Sequence, residues 1–222
     1  MIRSIAIDGP AGAGKSTIAK SIAKTKGFVY VDTGAMYRAM GLYYMNNGVA
    51  PDDTKKIEEM IDEIDVSIVY ENGEQIVLLN GENVNSKIRT PEVGNMASGV
   101  STNSAVRKKM VSLQQQLAKK RSVVMDGRDI GTVVLPDAMV KIFLTASVDV
   151  RTERRFEELK AKGIDCDKAK LREEIIERDY RDTHRENSPL KKADDAVEVD
   201  TTELTVEEVV GEILDIAESK GL

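Results

Sequence analysis

Between a short β-branched run, Ile5-Ala6-Ile7, and a helical pattern from Lys15 to about Lys26 lies Gly9-Pro10-Ala11-Gly12-Ala13-Gly14-Lys15-Ser16. No other stretch constrains the chain as much. It fits G-x-x-x-x-G-K-[ST] in the strand–loop–helix setting that this pattern requires. Glycines let successive backbone N–H groups turn inward toward anionic oxygens, and the helix N-terminus adds a partial positive charge. A lysine in the place of Lys15 reaches β- and γ-phosphates, and a hydroxyl in the place of Ser16 can ligate Mg²⁺. The expectation is a phosphate-binding loop for MgATP.

The rest of the chain reads as strands alternating with helices. Phe28-Val29-Tyr30-Val31 is a second strand, ending at Asp32-Thr33-Gly34, with a helix from near Ala35. Ser122 to Met125 is an apolar strand closed by Asp126, placed as a carboxylate that orients Mg²⁺ directly or through water, beside the Ser16 hydroxyl. Val140 to Leu144 and Ala196 to Val199 are further strands, and Thr205 with Glu208 forms a capping box that opens a last helix. This alternation predicts an α/β fold, a parallel sheet flanked by helices. Two segments depart from it. Val66 to Leu79 alternates around Asn72-Gly73 and is followed by Asn80-Gly81, the signature of a small antiparallel insertion. Asp149 to about Lys162 and Lys168 to about Glu186 are two highly charged helices. Pro91 to Lys120 is helical, with Thr102 or Asn103 as an internal cap.

The chain has 222 residues, enough for one domain with small insertions, and a net charge of −6, which argues against a nucleic-acid partner. The single cysteine, Cys166, permits no internal disulfide and suits a reducing, cytoplasmic setting. No apolar run is long enough to span a membrane, and the N-terminal run from Met1 to Asp8 reads as a strand instead of a signal peptide. No Cys/His cluster could hold zinc. The one histidine, His184, reads as a solvated helix residue. No unexplained apolar stripe calls for a second subunit, so a monomer is expected.

Arginines narrow the chemistry. Arg151, Arg154, Arg155, Arg172, Arg178, Arg181 and Arg185 crowd into the charged helix pair of an otherwise acidic chain. Arg178, Arg181 and Arg185 are spaced to share one helical face, with Asp182 among them. Like charges at that spacing repel unless an anion lies between them. Phosphoryl transfer supplies one, because its transition state spreads negative charge over the transferred group. An acceptor that is itself a phosphate is already ionised near neutral pH and needs no strong base, and no obvious base is present. Guanine-reading N-K-x-D is absent, which excludes a GTPase switch. A kinase for another acceptor, UMP or an alcohol, and a nucleotide-binding module without turnover remain as alternatives.

Several stretches carry a resemblance to a known family. They are Asp8 to Thr17, Asp32 to Arg38, Ile88-Arg89-Thr90-Pro91-Glu92-Val93, Met96-Ala97-Ser98, Asp126-Gly127-Arg128-Asp129-Ile130-Gly131-Thr132-Val133-Val134, and Glu177 to Asp182. Through these the chain resembles the bacterial cytidylate kinases from end to end. The resemblance implies transfer of the γ-phosphate of ATP to CMP or dCMP. It implies a core (1–40, 105–148 and 188–222), an acceptor-binding insertion (about 41–104) and an arginine-rich lid (about 149–187) that closes over ATP. ATP contacts fall on Gly9, Pro10, Ala11, Gly12, Ala13, Gly14, Lys15, Ser16, Thr17, Arg154 and Arg155. Acceptor contacts fall on Thr33, Arg38, Ser98, Arg107, Arg128, Asp129, Arg178, Asp182 and Arg185, with Lys15, Arg128, Arg178 and Arg185 stabilising the transferred charge. Cytosine offers an N4 donor beside N3 and O2 acceptors. Asp129 is thus expected to accept from N4 and Ser98 and Arg107 to donate to the others, while Asp182 serves the sugar.

Overall fold

A computed structural model describes residues 2–71 and 73–222. In chain order the elements are β1 (Ser4–Asp8), α1 (Lys15–Lys26), β2 (Val29–Asp32), α2 (Thr33–Asn46), α3 (Thr54–Met60), β3 (Val66–Glu71), β4 (Glu74–Leu79), β5 (Glu82–Asn83), α4 (Pro91–Val100), α5 (Ser104–Ala118), β6 (Val123–Gly127), β7 (Val140–Thr145), α6 (Val148–Ala161), α7 (Lys168–His184), β8 (Val197–Asp200) and α8 (Val206–Ser219). They form two compact units, Met1–Tyr30 with Arg121–Leu222, and Val31–Lys120.

The first unit is built on a sheet of order β2-β6-β1-β7-β8, in which β6, β1, β7 and β8 run parallel. Its central strands are buried on both faces, so they read as continuous apolar runs without alternation. Ile5, Ile7, Val124, Val140, Ile142 and Leu144 from the strands pack with Ile18 and Ile22 of α1 and Val209, Ile213 and Ala217 of α8. The expected capping box of α8 is present, with Thr205 and Glu208 bonding each other's backbone N–H groups. The charged helices α6 and α7 share a small core of their own: Leu159, Leu171 and Ile175, with Phe156, Val148 and Cys166 against it.

The second unit packs α2 against α4 and the antiparallel sheet β3-β4-β5. Asn80 and Gly81 take the positive φ values, 49° and 83°, of a two-residue hairpin turn. In the expected first hairpin, Glu71 pairs with Glu74 and Gly73 has φ 82°. Asn72 lies outside the described residues, as does Met1 at the start of the expected first strand. Asn103 caps α5 and breaks the long helical pattern as its sequence suggests.

Two local readings need correction, and one turn has no counterpart in the sequence pattern. α2 begins at Thr33, two residues before the sequence pattern, because the Asp32 carboxylate accepts the Ala35 N–H at 2.8 Å and caps the turn. α7 ends at His184, and Arg185 is extended at φ −64°, ψ 142°, so Arg185 does not extend the helical face of Arg178. Arg181 is exposed, whereas in the same last turns of α7 Arg178 is half-buried and Asp182 is buried. Ile130–Val134 forms a π-helical turn that no periodicity announced, with the Asp129 carbonyl accepting from both Val133 and Val134.

Gly41 shows how closely α2 and α4 approach. A Cβ there would lie 2.8 Å from the Ala97 nitrogen and 3.2 Å from the Val93 oxygen, both backbone atoms that cannot swing away. Gly94, in α4, has open space around the same position. Gly41→Ala is therefore expected to lose about 1–3 kcal/mol to overpacking, although alanine favours a helix by about 1 kcal/mol. Gly94→Ala should gain up to about 1 kcal/mol. Urea denaturation of both variants checks the contrast, and equal effects would contradict the close approach.

Candidate active site

The loop Gly9–Gly14 leaves β1 and enters α1. Gly9 has φ 148°, and a Cβ on it would fall 2.0 Å from the Leu144 carbonyl oxygen, so only glycine fits where the loop departs. Gly12 and Gly14 have φ 79° and 87°, values that glycine adopts without strain. Gly14 is the N-cap of α1 and carries no side chain to cap it, which leaves the first N–H groups of the helix for an incoming anion. Thr17 is exposed on the first turn.

Lys15 is buried, and its ammonium donates to the Pro10 carbonyl at 2.6 Å. Burial, reinforced by the nearby Arg128, pushes its pKa well below the usual lysine range, and Asp126 and Asp182 oppose this only in part. The Ser16 hydroxyl donates to one oxygen of Asp126 at 3.0 Å, and the Tyr30 hydroxyl donates to the other at 2.9 Å. Ser16 and Asp126 thus present two adjacent oxygen donors. That fits Mg²⁺, which typically takes one or two protein ligands and fills its shell with water and phosphate.

Arg128 follows β6 and bonds the buried Asp182 of α7 through its Nε at 2.8 Å. Burial would raise the Asp182 pKa, but Arg128, with Arg178 and Arg185, outweighs it and holds the carboxyl below its usual range. Arg185 comes within 3.9 Å of the buried Asp129 and donates from Nε to the Ser188 carbonyl at 2.7 Å. Arg154 donates to the Thr201 hydroxyl and carbonyl at 3.0 and 2.7 Å, and the Thr201 hydroxyl bonds the Ala13 carbonyl in the phosphate loop. Arg155 pairs with Glu158 at 2.7 Å.

The second unit holds its own polar group. Asp32 accepts from Arg38 at 3.2 Å and from Arg89 at 2.9 Å, and its backbone N–H donates to Gln75. Burial alone would raise its pKa, but the two guanidiniums hold it below the usual range. Thr33 is buried at the start of α2. Arg107, also buried, donates to the Ser101 carbonyl and lies 5.6 Å from the Tyr37 ring centroid. The Ser98 carbonyl accepts from the Ser101 hydroxyl.

Sequence reasoning missed three residues. Arg151 is buried and grips the phosphate-loop carbonyl of Ala11 at 3.2 Å, that of Ala146 at 2.9 Å and the Asp179 carboxylate at 2.7 Å. Asp32 anchors two arginines as well as a helix start. Asp8 binds a segment far along the chain. An aspartate at a strand end and one arginine among seven carry no local signal of such roles.

A glycine loop between strand and helix, a buried lysine inside it, a serine–aspartate pair and an arginine group together define a P-loop phosphotransferase. The family model described as cytidylate kinase matches residues 5–219. A cytidylate kinase of Caldicellulosiruptor saccharolyticus is 53% identical over 213 residues, spanning 96% of this chain and 94% of that protein. One from Lactobacillus johnsonii is 53% identical over 99% of this chain and 95% of its own length. Among solved structures, an uncharacterized protein from Eubacterium ventriosum shares the fold, with a TM-score of 0.52 at 14% identity over 98% of this chain and 99% of its own. The chain belongs to the cytidylate kinase family. Among the described residues no helix is long and apolar enough to cross a membrane.

Asp182→Asn would leave the buried Arg128 without its carboxylate, at an expected loss of about 3 kcal/mol near neutral pH. The folded carboxyl titrates below its unfolded value of about 3.9. Its contribution is therefore complete above that pH and vanishes as pH falls through the folded value. Urea midpoints of both proteins should differ by a constant amount above about pH 5, and the difference should shrink progressively as pH falls below about 4. A constant difference down to pH 3 would contradict the ion pair.

Proposed function

We propose that the protein transfers the γ-phosphate of ATP to CMP or dCMP, with MgATP as donor. The observation that carries this reading, beside family membership, is the charge balance around Lys15. Lys15, Arg128 and Arg178 are gathered with Asp126 and Asp182 at the phosphate loop, and burial together with the two arginines disfavours the Lys15 charge more than the two carboxylates favour it. A polyphosphate supplies the missing negative charge, and a transferring phosphoryl group supplies more.

In this reading the loop amides and Lys15 hold the β- and γ-phosphates, and Arg154 and Arg155 serve ATP from α6. Ser16 and Asp126 would hold Mg²⁺, which screens phosphate charge when bound. An oxygen of the acceptor phosphate attacks the γ-phosphorus. The bond to the bridging oxygen breaks, and ADP leaves with that electron pair. The acceptor phosphate has a second pKa near 6, so it arrives ionised and no general base is required. Arg128, Arg178 and Arg185 offset the growing charge from fixed positions, with little reorganisation. Asp129 accepts a hydrogen bond from the cytosine N4 amino group, which uracil replaces with an acceptor. Asp182 takes a sugar hydroxyl. Thr33, Arg38, Ser98 and Arg107 are proposed as acceptor contacts on the strength of the matching motifs. The division into core, acceptor-binding insertion (about 41–104) and lid (about 149–187) is proposed on the same ground.

ADP release from MgATP should be measured with CMP, dCMP, UMP, AMP, GMP and no acceptor at equal concentration. CMP and dCMP are expected to exceed UMP by at least about tenfold, because a reversed hydrogen bond leaves buried polar groups unpaired. Asp129→Ala should erase most of that preference. Equal turnover with every acceptor, or none, would refute the reading.

A further inference from the structure

Asp8 is the last residue of β1, immediately before the phosphate loop, and it is buried. Both of its carboxylate oxygens are used, and neither partner is local. Oδ1 accepts the Ile130 N–H at 2.8 Å and Oδ2 the Gly131 N–H at 2.7 Å. The neighbouring strand β6 ends at Gly127, which lies level with Asp8 in the parallel ladder. Arg128 and Asp129 are therefore the whole connection between a residue fixed by the ladder and a residue fixed by the Asp8 carboxylate. Their backbone is pinned at both ends.

We propose that Asp8 is a positioning residue for the acceptor loop: its carboxylate fixes the backbone at Ile130 and Gly131, and thereby the directions of the Arg128 and Asp129 side chains.

Three observations support this. The hydrogen bonds are short and charge-assisted, the stronger kind of protein hydrogen bond. The carboxylate packs directly against the Gly131 backbone: a Cβ there would touch Asp8 Oδ2 at 3.4 Å and the Lys141 Cδ at 3.3 Å. Holding the carboxylate ionised is also costly to the fold. Burial raises its pKa to about 6, Asp129 adds to the rise, and the two N–H bonds and Lys15 only partly oppose it. The other charge alongside, Lys141 of β7, is already engaged with Asp195 at 2.9 Å. A group required only for stability would be better neutral. Asparagine at this position keeps one acceptor oxygen and sets an NH₂ donor against the second backbone N–H, so it cannot satisfy both bonds.

The inference rests on the reading of Arg128 and Asp129 as acceptor contacts, and the test separates the two. Asp8→Asn and Gly131→Ala should be compared with wild type at pH 8, where the wild-type carboxyl is ionised. Amide hydrogen exchange of the unliganded protein reads the positioning directly, whatever the substrate. Ile130 and Gly131 are expected to exchange at least about tenfold faster in Asp8→Asn, with the thermal midpoint within a few degrees of wild type. In turnover, the KM for CMP should rise by roughly tenfold and the CMP-over-UMP preference fall, while the KM for MgATP changes by less than about twofold. Gly131→Ala, which keeps the carboxylate but sets a methyl against it and the Lys141 side chain, should shift the same constants in the same direction by less, and stands in if Asp8→Asn does not fold. Unchanged exchange at Ile130 and Gly131 would overturn the proposal. So would KM values for CMP and MgATP that rise together, which would mark a defect of the phosphate loop instead. If wild type shows no CMP preference while the exchange result holds, the acceptor reading fails and the positioning role stands.

Discussion

The structure of the first unit depends on keeping charge buried beside the phosphate loop. Lys15 is buried at the loop and donates to the Pro10 carbonyl at 2.6 Å, and Arg128 is held against Asp182 at 2.8 Å. Removing such groups from water costs several kcal/mol each, and fixed partners recover it only in part. The rest of the unit serves this arrangement. Parallel strands buried on both faces place the C-terminal ends of β1 and β6 side by side, so that the Gly9 turn, Asp126 and Arg128 emerge at the same end of the sheet. Glycine is required at the departure because a side chain would collide with Leu144 of the adjoining strand.

Around this end, polar side chains replace the ligands that backbone ladders cannot provide. Arg151 ties the Ala11 carbonyl to the Asp179 carboxylate of α7, which connects the phosphate loop to the charged helix pair. Thr201 does the same between Ala13 and Arg154. The arginines that crowd α6 and α7 are therefore of two kinds. Arg151 and Arg154 tie the loop to its surroundings, and Arg178 and Arg185 bear on Asp182. In the second unit Asp32 plays the corresponding role for Arg38 and Arg89, combining a helix cap with two ion pairs in one carboxylate.

What the sequence made legible is what depends on neighbours along the chain. The phosphate loop, the Thr205–Glu208 box, the Asn80–Gly81 turn and the Asn103 cap are all set within a few residues, and all stand where the pattern puts them. The parallel sheet followed from strand and helix alternation. The inward face of α7 was only half legible. Spacing grouped Arg178, Arg181 and Arg185, but the helix ends before Arg185, and Arg181 is exposed whereas Arg178 is half-buried and Asp182 is buried. The Ile130 partner of Asp8 and the phosphate-loop partner of Arg151 lie 122 and 140 residues away, and no local periodicity encodes such distances. The π-helical turn at Ile130 was hidden for the same reason, since its start is held by Asp8.

The central claim is that the buried charge of Lys15 is arranged for a phosphate, at the expense of the fold's own stability. Lys15→Met tests it most directly, because methionine keeps the length of the side chain and discards the charge. Thermal midpoint without nucleotide and turnover of MgATP with CMP should be measured on the same preparation. The account predicts a midpoint equal to or above that of wild type, with turnover reduced by at least about a hundredfold, the scale expected for loss of one fixed donor to transition-state charge. A midpoint several degrees lower, with turnover largely retained, would show that the lysine serves the fold and would contradict the account.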